Sequence, residues 1–183
     1  VASLKTILNE DYYNGTSTTG SLKNNLTRNA IESVVWNLGG LERLNQVSRL
    51  YDAERGTNVV SGHQTTWAGR ISLIYLSDYG YATAGGSTTC RENCVATNIS
   101  NWSNSTFSEC KDNDYLFNSN YTQWTLVPNY TYGAVVFSLT DGLITNSGTD
   151  SAKNVHPTLY LKSSISISKG DGSSSNPYQL NLQ

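Results

Sequence analysis

The sequence contains no methionine and begins at Val1. We therefore expect the natural start to lie upstream, in a segment that could contain a signal peptide or a membrane helix. Within the sequence itself, no apolar run approaches the roughly 18 residues that cross a bilayer, and no basic stretch leads into an apolar one. This absence excludes a membrane span within the given residues.

Charged residues are scarce, because Asp, Glu, Lys and Arg together make up 14% of the chain and the net charge is −2. The 12 basic residues are scattered, whereas nucleic-acid binding needs clustered Lys and Arg to replace condensed counterions. We therefore expect no nucleic-acid partner. The length of 183 residues fits one domain with an N-terminal appendage.

The motifs of common enzyme classes are also missing. The sequence has no G-x-S-x-G elbow and no glycine-rich phosphate loop, and His63 and His156 lack a local catalytic motif. Asp112 and Asp114 lack the glycine and distal glutamate of an EF-hand loop, and Asp171 lies in a short glycine turn. We predict no catalytic residue, metal or cofactor, and we interpret the chain as a binding or structural module.

The three cysteines, Cys90, Cys94 and Cys110, lie in a region rich in Ser, Thr and Asn. Disulfide partners of exported proteins often do so, and one bridge with one leftover thiol is the simplest arrangement. A zinc site is the alternative, but both histidines are distant in sequence and a second cysteine pair is missing. We favour the disulfide.

Helical periodicity is confined to the first part of the chain. Leu4, Ile7 and Leu8 have helical spacing, and residues 22–31 continue it loosely after a Gly/Thr/Ser break. A clearer apolar stripe runs over residues 41–51, with Gly39 and Gly40 before it and a stop near Gly56. These patterns predict two short helices followed by a longer one.

From residue 70 onward the sequence favours strands. Asp141-Gly142 between two apolar runs is typical of a tight hairpin turn. The region 83–120 has little periodicity and predicts a long ordered loop. Runs of β-branched and aromatic residues predict strands at 71–76, 124–127, 133–139, 143–145, 155–161 and 165–168.

Aromatic and amide residues are abundant, with 12 tyrosines and 4 tryptophans. Apolar or glycine neighbours place Trp36, Trp67 and Trp124 in the predicted core. Rigid aromatic rings beside adaptable amides make good contact surfaces at modest entropic cost. The predicted ligand-contact residues are Asn101, Trp102, Asn104, Asn120, Tyr121, Asn129, Tyr130 and Tyr132.

Several asparagines begin an Asn-x-Ser/Thr triplet, which is the acceptor of N-glycosylation in eukaryotic secreted proteins. In a chain this rich in Asn, Ser and Thr such triplets arise from composition, and we give them no weight. The triplets begin at Asn14, Asn25, Asn98, Asn101, Asn104, Asn120 and Asn129.

A series of short motifs extends from about residue 30 to the C-terminus. They are Trp36-Asn37-Leu38-Gly39-Gly40, Glu54-Arg55, residues 67–82, Cys94, Trp102, Cys110, residues 113–116, 124–128 and 155–163, Gly170-Asp171-Gly172 and Asn176-Pro177-Tyr178. In order and spacing, these motifs resemble prepilin-type surface proteins of Gram-positive gut bacteria.

The resemblance implies an α+β fold in which N-terminal helices precede a mostly antiparallel sheet domain with long ordered loops. Residues 1–30 would continue a prepilin helix, and residues 31–183 would form a head similar to C-type lectins and formylglycine-generating enzymes. No activity carries over, since all three cysteines precede Lys111 and cannot match the catalytic pair of those enzymes. We predict a Cys94–Cys110 disulfide, with Cys90 free or capped.

The function that this resemblance implies is that of an extracellular pilin or pilus-associated head, which mediates surface display, fibre assembly or adhesion. Its partners would be other pilin subunits and a host or microbial surface protein or glycan. The first alternative is a ligand-binding variable protein of a diversity-generating retroelement, with which the Asn- and Tyr-rich residues 118–154 are compatible. The second alternative is a secreted cell-wall enzyme, against which the missing catalytic motifs count.

Overall fold

The computed structural model describes residues 2–18, 20–22, 24–86, 89–111, 121–173 and 175–182. Short helices and antiparallel strands confirm the predicted α+β class. The α-helices in these ranges are α1 (Ala2–Thr6), α2 (Asn25–Asn29), α3 (Val47–Glu54), α4 (Leu76–Tyr81) and α5 (Arg91–Ala96). The strands are β1 (Val34–Asn37), β2 (Thr66–Gly69), β3 (Ile71–Ser72), β4 (Thr122–Pro128), β5 (Val135–Thr140), β6 (Leu143–Gly148), β7 (Thr158–Leu159), β8 (Ser166–Lys169) and β9 (Gln179–Asn181).

The chain divides into two compact units. One unit combines Val1–Val35, Ala68–Ser72 and Pro157–Gln183, and the other combines Trp36–Trp67 and Leu73–His156. We refer to them as the terminal unit and the central unit. The predicted domain boundary at residue 30 remains a prediction.

The terminal unit joins its segments through the side chain of Asn9. Its Oδ1 accepts hydrogen bonds from the backbone N–H groups of Arg70 (2.9 Å) and Ile71 (3.0 Å), and its Nδ2 donates to the Ile71 carbonyl (2.8 Å). Asn9 lies in a π-helical turn, Ile7–Tyr12, that continues α1. β3 pairs antiparallel with β7, and β8 pairs with β9 in a hairpin whose residues are exposed.

The central unit is built on an antiparallel sheet in the order β4-β5-β6. Asp141 and Gly142 both have positive φ, at 52° and 70°, which confirms the predicted tight turn between β5 and β6. β4 alternates between buried and half-buried residues, so one face of the sheet packs into the core. Along the edge of β4 that faces away from β5, the backbone N–H of Leu126 donates to the Ile74 carbonyl (2.9 Å).

A disulfide between Cys94 and Cys110 ties α5 to the 3₁₀ helix Ser105–Lys111, with 5.6 Å between the two Cα atoms. This confirms the predicted pairing, and Cys90 is a free, exposed thiol. The prediction of a long loop over residues 83–120 is wrong in part, because its described residues include α5 and the 3₁₀ helices Ile99–Ser103 and Ser105–Lys111. These helices are too short to show a repeated apolar pattern, which is why the sequence did not reveal them.

Two other predictions are wrong in part, one on the extent of a strand and one on the burial of tryptophans. The predicted 71–76 strand ends at Ser72, and Leu76 starts α4. Every residue from 71 to 77 is buried, and a short apolar run buried on all sides fits either a strand or a helix. Of the tryptophans predicted to be core, Trp36 is buried, whereas Trp67 and Trp124 are half-buried.

Among the described residues, no helix is both long enough and apolar enough to cross a membrane.

Candidate functional site

Residues 41–46 form an irregular, non-helical segment directly before α3, which we call the contact strip. The helix predicted over residues 41–51, with a stop near Gly56, is present as α3, but it begins at Val47, so the prediction is wrong for residues 41–46. Instead, Leu41 forms a β-bridge with Asn129 and Gln46 forms one with Asn98. The strip therefore has a β-bridge partner at each end.

One partner is the turn between β4 and β5, residues 129–134, which we call the tyrosine loop. The backbone N–H of Leu41 donates to the Pro128 carbonyl (3.0 Å), and the N–H of Tyr130 donates to the Leu41 carbonyl (3.2 Å). The Nδ2 group of Asn129 donates to the carbonyl of Glu42 at 3.2 Å. Backbone and side-chain bonds thus attach the tyrosine loop to the first half of the strip.

The side chain of Asn129 also shapes its own loop. Its Oδ1 accepts hydrogen bonds from the backbone N–H groups of Thr131 (3.0 Å) and Tyr132 (3.3 Å), an arrangement that mimics a backbone turn. The loop closes where the N–H of Val135 donates to the Tyr132 carbonyl (2.9 Å). Asn129 is 1% exposed, so it supports the loop from inside.

The second partner is the segment 98–104, which contains the 3₁₀ helix Ile99–Ser103 and which we call the asparagine loop. The Nδ2 group of Asn98 donates to the Leu44 carbonyl (3.1 Å), and the N–H of Ile99 donates to the Asn45 carbonyl (3.1 Å). The Oδ1 of Asn98 accepts hydrogen bonds from the backbone N–H (3.0 Å) and the hydroxyl (2.8 Å) of Ser100. Asn98 therefore holds its loop to the strip as Asn129 does.

These two asparagines attach the two loops to neighbouring points of the strip. Their Nδ2 groups bind the carbonyls of Glu42 and Leu44, which lie two residues apart and so can be separated by about 7 Å at most. Glu42, Arg43, Asn45 and Gln46 are exposed on the strip. We call the exposed side chains of the strip and the two loops the contact surface. It combines amide, charged and aromatic groups on a backbone that the hydrogen bonds of Asn98 and Asn129 hold in place.

The predicted contact residues that the structure describes lie on the two loops, in the interior or at the far end of β4. Asn101 and Asn104 are exposed on the asparagine loop, Tyr132 is 63% exposed on the tyrosine loop, and Tyr130 is half-buried. Tyr121 is exposed but precedes β4 at the end opposite the tyrosine loop, roughly 20 Å along the strand. Asn120 lies outside the described residues.

Trp102 and Asn129 lie in the interior, so neither offers its side chain to an external ligand. Trp102 is 1% exposed, its Nε1 donates to the Cys94 carbonyl (3.3 Å), and its ring centroid lies 5.9 Å from that of Tyr79. The Tyr79 hydroxyl lies within hydrogen-bond distance of the Lys111 (2.8 Å) and Gly142 (2.7 Å) carbonyls. Both residues support the loops that carry the exposed ones.

Sequence reasoning missed the strip and Asn98. The predicted helix over residues 41–51 includes Glu42 and Arg43, which are exposed on the strip instead. The signal for Asn98 was the Asn-Ile-Ser triplet, because an Asn followed two residues later by Ser favours a side-chain-capped turn. Because the Asn-x-Ser/Thr triplets were considered only as glycosylation acceptors and given no weight, the turn at Asn98 was not predicted.

Replacing Asn129 by Ala should lower the free energy of unfolding by about 1–3 kcal/mol, because it removes the hydrogen bonds of a buried side chain to the backbone of Glu42, Thr131 and Tyr132. Urea denaturation measures the change. The control is Asn104→Ala, which alters an exposed amide of the asparagine loop and should change stability by about 0.5 kcal/mol or less. Equal effects of the two substitutions would contradict the role given to Asn129.

Glu54, the last residue of α3, is a fully buried acid. Its Oε1 accepts the backbone N–H of Ser77 (3.0 Å), its Oε2 accepts the Ser77 hydroxyl, and Arg55 Nη1 lies 3.4 Å from Oε2. Burial raises the pKa of this carboxyl to about 7, although the Ser77 hydrogen bonds and Arg55 oppose the rise. Because Ser77 is buried as well, the pair joins α3 to α4 and presents no reactive group at the surface.

Stability should depend on the charge of Glu54. Its pKa is about 7 in the folded chain against an ordinary value of 4.5, so the folded state binds more protons between those values and gains stability as the pH falls. Between pH 8 and pH 5 we expect a gain of about 2 kcal/mol from this group. Denaturation at several pH values should show this dependence in the wild type and lose it in Glu54→Gln.

Among the described residues, no group of three or more His, Cys, Asp or Glu side chains could hold a metal ion. Comparison with known proteins identifies no relative: no family model, curated protein or solved structure matches the chain. The resemblance to prepilin-type proteins and to C-type lectins therefore remains a prediction. The functional conclusion depends on the geometry of the chain itself.

Proposed function

We propose that the chain is a binding module, the extracellular head of a pilin or pilus-associated surface protein with a C-type-lectin-like fold. It binds its ligand through the contact strip, the tyrosine loop and the asparagine loop. The observation that carries this proposal is the pair of asparagines, Asn98 and Asn129, that hold exposed aromatic and amide side chains on a fixed backbone. Preorganised loops lose little conformational entropy on binding.

The composition of the surface supports a binding role. Tyrosine supplies a large contact area with only two side-chain torsions, and Asn and Ser supply adaptable hydrogen bonds. Arg43 adds an exposed guanidinium in the centre of the strip, a group that is enriched among binding hot spots. A host or microbial surface protein or glycan is the expected ligand, and other pilin subunits are the expected assembly partners.

The Cys94–Cys110 disulfide supports an extracellular location. Disulfides persist in oxidising compartments and are rare in the reducing cytosol. In this chain the disulfide lies beneath the asparagine loop, since the carbonyl of Cys94 accepts the Trp102 Nε1 hydrogen bond. A bridge at this position would keep the loop in its binding conformation outside the cell.

A second candidate is a variable protein of a diversity-generating retroelement, in which adenine-directed mutation enriches Asn, Tyr, Ser, Asp and Thr at a binding face. The exposure of Asn101, Asn104, Thr131 and Tyr132 favours it, since these side chains can change without disturbing the core. Sequencing the gene from many cells of one population separates the candidates. Substitutions confined to adenines of surface codons would favour the retroelement, and an invariant sequence would favour the pilin head.

The proposal is tested by negative-stain imaging of native cells labelled with an antibody against this chain. Regular labelling along filaments would identify a major pilin, and labelling at filament tips would identify a minor pilin or adhesin. Surface labelling without filaments would support a free binding module. Absence of surface labelling, with the chain retained inside the cell, would contradict the proposal.

A further inference from the structure

The contact strip is connected to helix α3 at both ends. Its last residue, Gln46, is the N-cap of α3, and the Gln46 carbonyl accepts the Leu50 N–H at 3.0 Å. Just before the strip, the N–H of Gly39 donates to the carbonyl of Glu54, the last residue of α3, at 3.0 Å. The chain therefore contacts the C-terminal end of α3 at Gly39, continues through the strip and enters α3 at its N-terminal end.

The contact at Gly39 is too close for any side chain. A Cβ atom built on Gly39 would lie 2.2 Å from the carbonyl oxygen of Ala53 and 2.7 Å from that of Glu54. Because the backbone of Gly39 rests directly on the last turn of α3, a displacement of that turn must displace Gly39. The next residue but one, Leu41, begins the strip.

The position of that last turn depends in turn on the Glu54 carboxylate. The carboxylate binds the N–H and the hydroxyl of Ser77 at the start of α4, and it holds the Arg55 guanidinium at 3.4 Å. Arg55 stacks on the ring of Tyr51, with 3.6 Å between its Cζ and the ring centroid, and lies 5.0 Å from the ring of Tyr75. The Glu54 carboxylate thus links the end of α3 to α4 and, through Arg55, to the rings of Tyr51 and Tyr75.

The charged groups around Glu54 are few. Arg55 lowers its pKa and Asp78, on α4, raises it; the pKa of Asp78 is itself raised, mainly by burial. The charged residues Arg91 and Glu92 of α5, which packs against α3, are both exposed. Uptake of a proton by Glu54 removes the negative charge that Arg55 and the Ser77 N–H stabilise, and it turns one carboxylate oxygen from an acceptor into a donor.

We propose that Glu54 is a proton-sensitive anchor that sets the conformation of the contact strip. In its charged form, Glu54 holds Arg55 and the Ser77 N–H, and the last turn of α3 is fixed against Gly39. In its neutral form, the attraction to Arg55 is lost, and the turn and the strip relax together. This inference rests on the proposed function in one respect, namely that the strip is part of the binding surface. The affinity of that surface for its ligand would then change across neutral pH.

The test is an NMR titration of the ¹⁵N-labelled full chain between about pH 5.5 and 8.5, with no ligand present. In the wild type, the amide signals of Gly39, Leu41 and Gln46 should follow one transition with a midpoint near 7, the pKa of Glu54. In Glu54→Gln the transition should vanish. Strip amides that do not respond to pH, or a transition that persists in Glu54→Gln, would overturn the proposal.

His63 provides the matched control, because it lies in the turn that follows Asn58, whose carbonyl accepts the Gly40 N–H at 2.7 Å. In His63→Gln the transition should remain, and its loss there would assign the response to the imidazole and overturn the proposal. If Glu54→Gln fails to fold, Ser77→Ala replaces it. Loss of the hydroxyl that favours the charged carboxylate should move the midpoint to higher pH, and an unchanged midpoint would overturn the anchor.

The titration separates this inference from the proposed function. Since no ligand is present, a chain that binds nothing can still show the transition. Conversely, if the chain binds a surface ligand with the same affinity at every pH, the proposed function stands and the inference about Glu54 fails.

Discussion

Substitution of Trp102 by Ala is expected to lower the free energy of unfolding by about 3–5 kcal/mol, which is the range for a large aromatic side chain removed from a core. Trp102 is 1% exposed and packs on Tyr79. Its removal leaves a cavity and also removes the donor to the Cys94 carbonyl. Urea or guanidinium denaturation followed by tyrosine and tryptophan fluorescence measures the loss.

Trp124→Ala is the matched control for this substitution. Trp124 belongs to the same central unit but is half-buried, with Lys153 Nζ lying 5.4 Å from its ring centroid. Removal of a half-exposed ring leaves a smaller cavity, so Trp124→Ala should destabilise the chain clearly less. Most truncations of large core side chains destabilise a protein by more than about 1 kcal/mol. A smaller loss for Trp102→Ala would show that Trp102 is not a core residue.

Removal of the disulfide is expected to have the second large effect. Cys94 and Cys110 are separated by 16 residues, and a loop of about that length gives about 3 kcal/mol of stabilisation through the entropy of the unfolded chain. The double substitution Cys94→Ala/Cys110→Ala should therefore lower the free energy of unfolding by about 3 kcal/mol. Equilibrium denaturation without reductant provides the comparison.

Cys90→Ala controls for the loss of a thiol, since Cys90 is free and exposed. We expect it to change stability by about 0.5 kcal/mol or less, as surface substitutions usually do. Addition of a reductant to the wild type should reproduce the loss seen in the double variant. A double variant as stable as the wild type would contradict the structural role of the bridge.

The fold class could be predicted because its signals are local. Asp141-Gly142 specifies a turn through its own backbone preferences, and the adjoining apolar runs specify the paired strands. The strip could not be predicted, because its spacing of Leu41, Leu44 and Val47 suits a helix. Its non-helical form depends on the carbonyl of Pro128 and the amides of Asn98 and Asn129, contacts that join residues far apart in sequence.

In the candidate site, too, the sequence showed the local features but not those that depend on tertiary contacts. The sequence pointed to Tyr130 and Tyr132 through their polar neighbours, and these residues do lie on the loop that meets the strip. It grouped Trp102 with them for the same reason, although the structure buries it. Composition around a residue indicates that a segment is a loop, but not whether the side chain points outward, which tertiary packing decides.

The most direct test of the binding role measures the purified chain against immobilised polysaccharides and extracellular-matrix proteins, with two tyrosine variants. Tyr132 and Tyr178 are similarly exposed, at 63% and 54%, but only Tyr132 lies on the tyrosine loop. We predict that Tyr132→Ala weakens binding by about 30-fold or more, which corresponds to the loss of about 2 kcal/mol expected of a hot-spot residue, and that Tyr178→Ala leaves it unchanged. Equal binding by both variants, or a larger loss in Tyr178→Ala, would contradict the assignment of the binding surface.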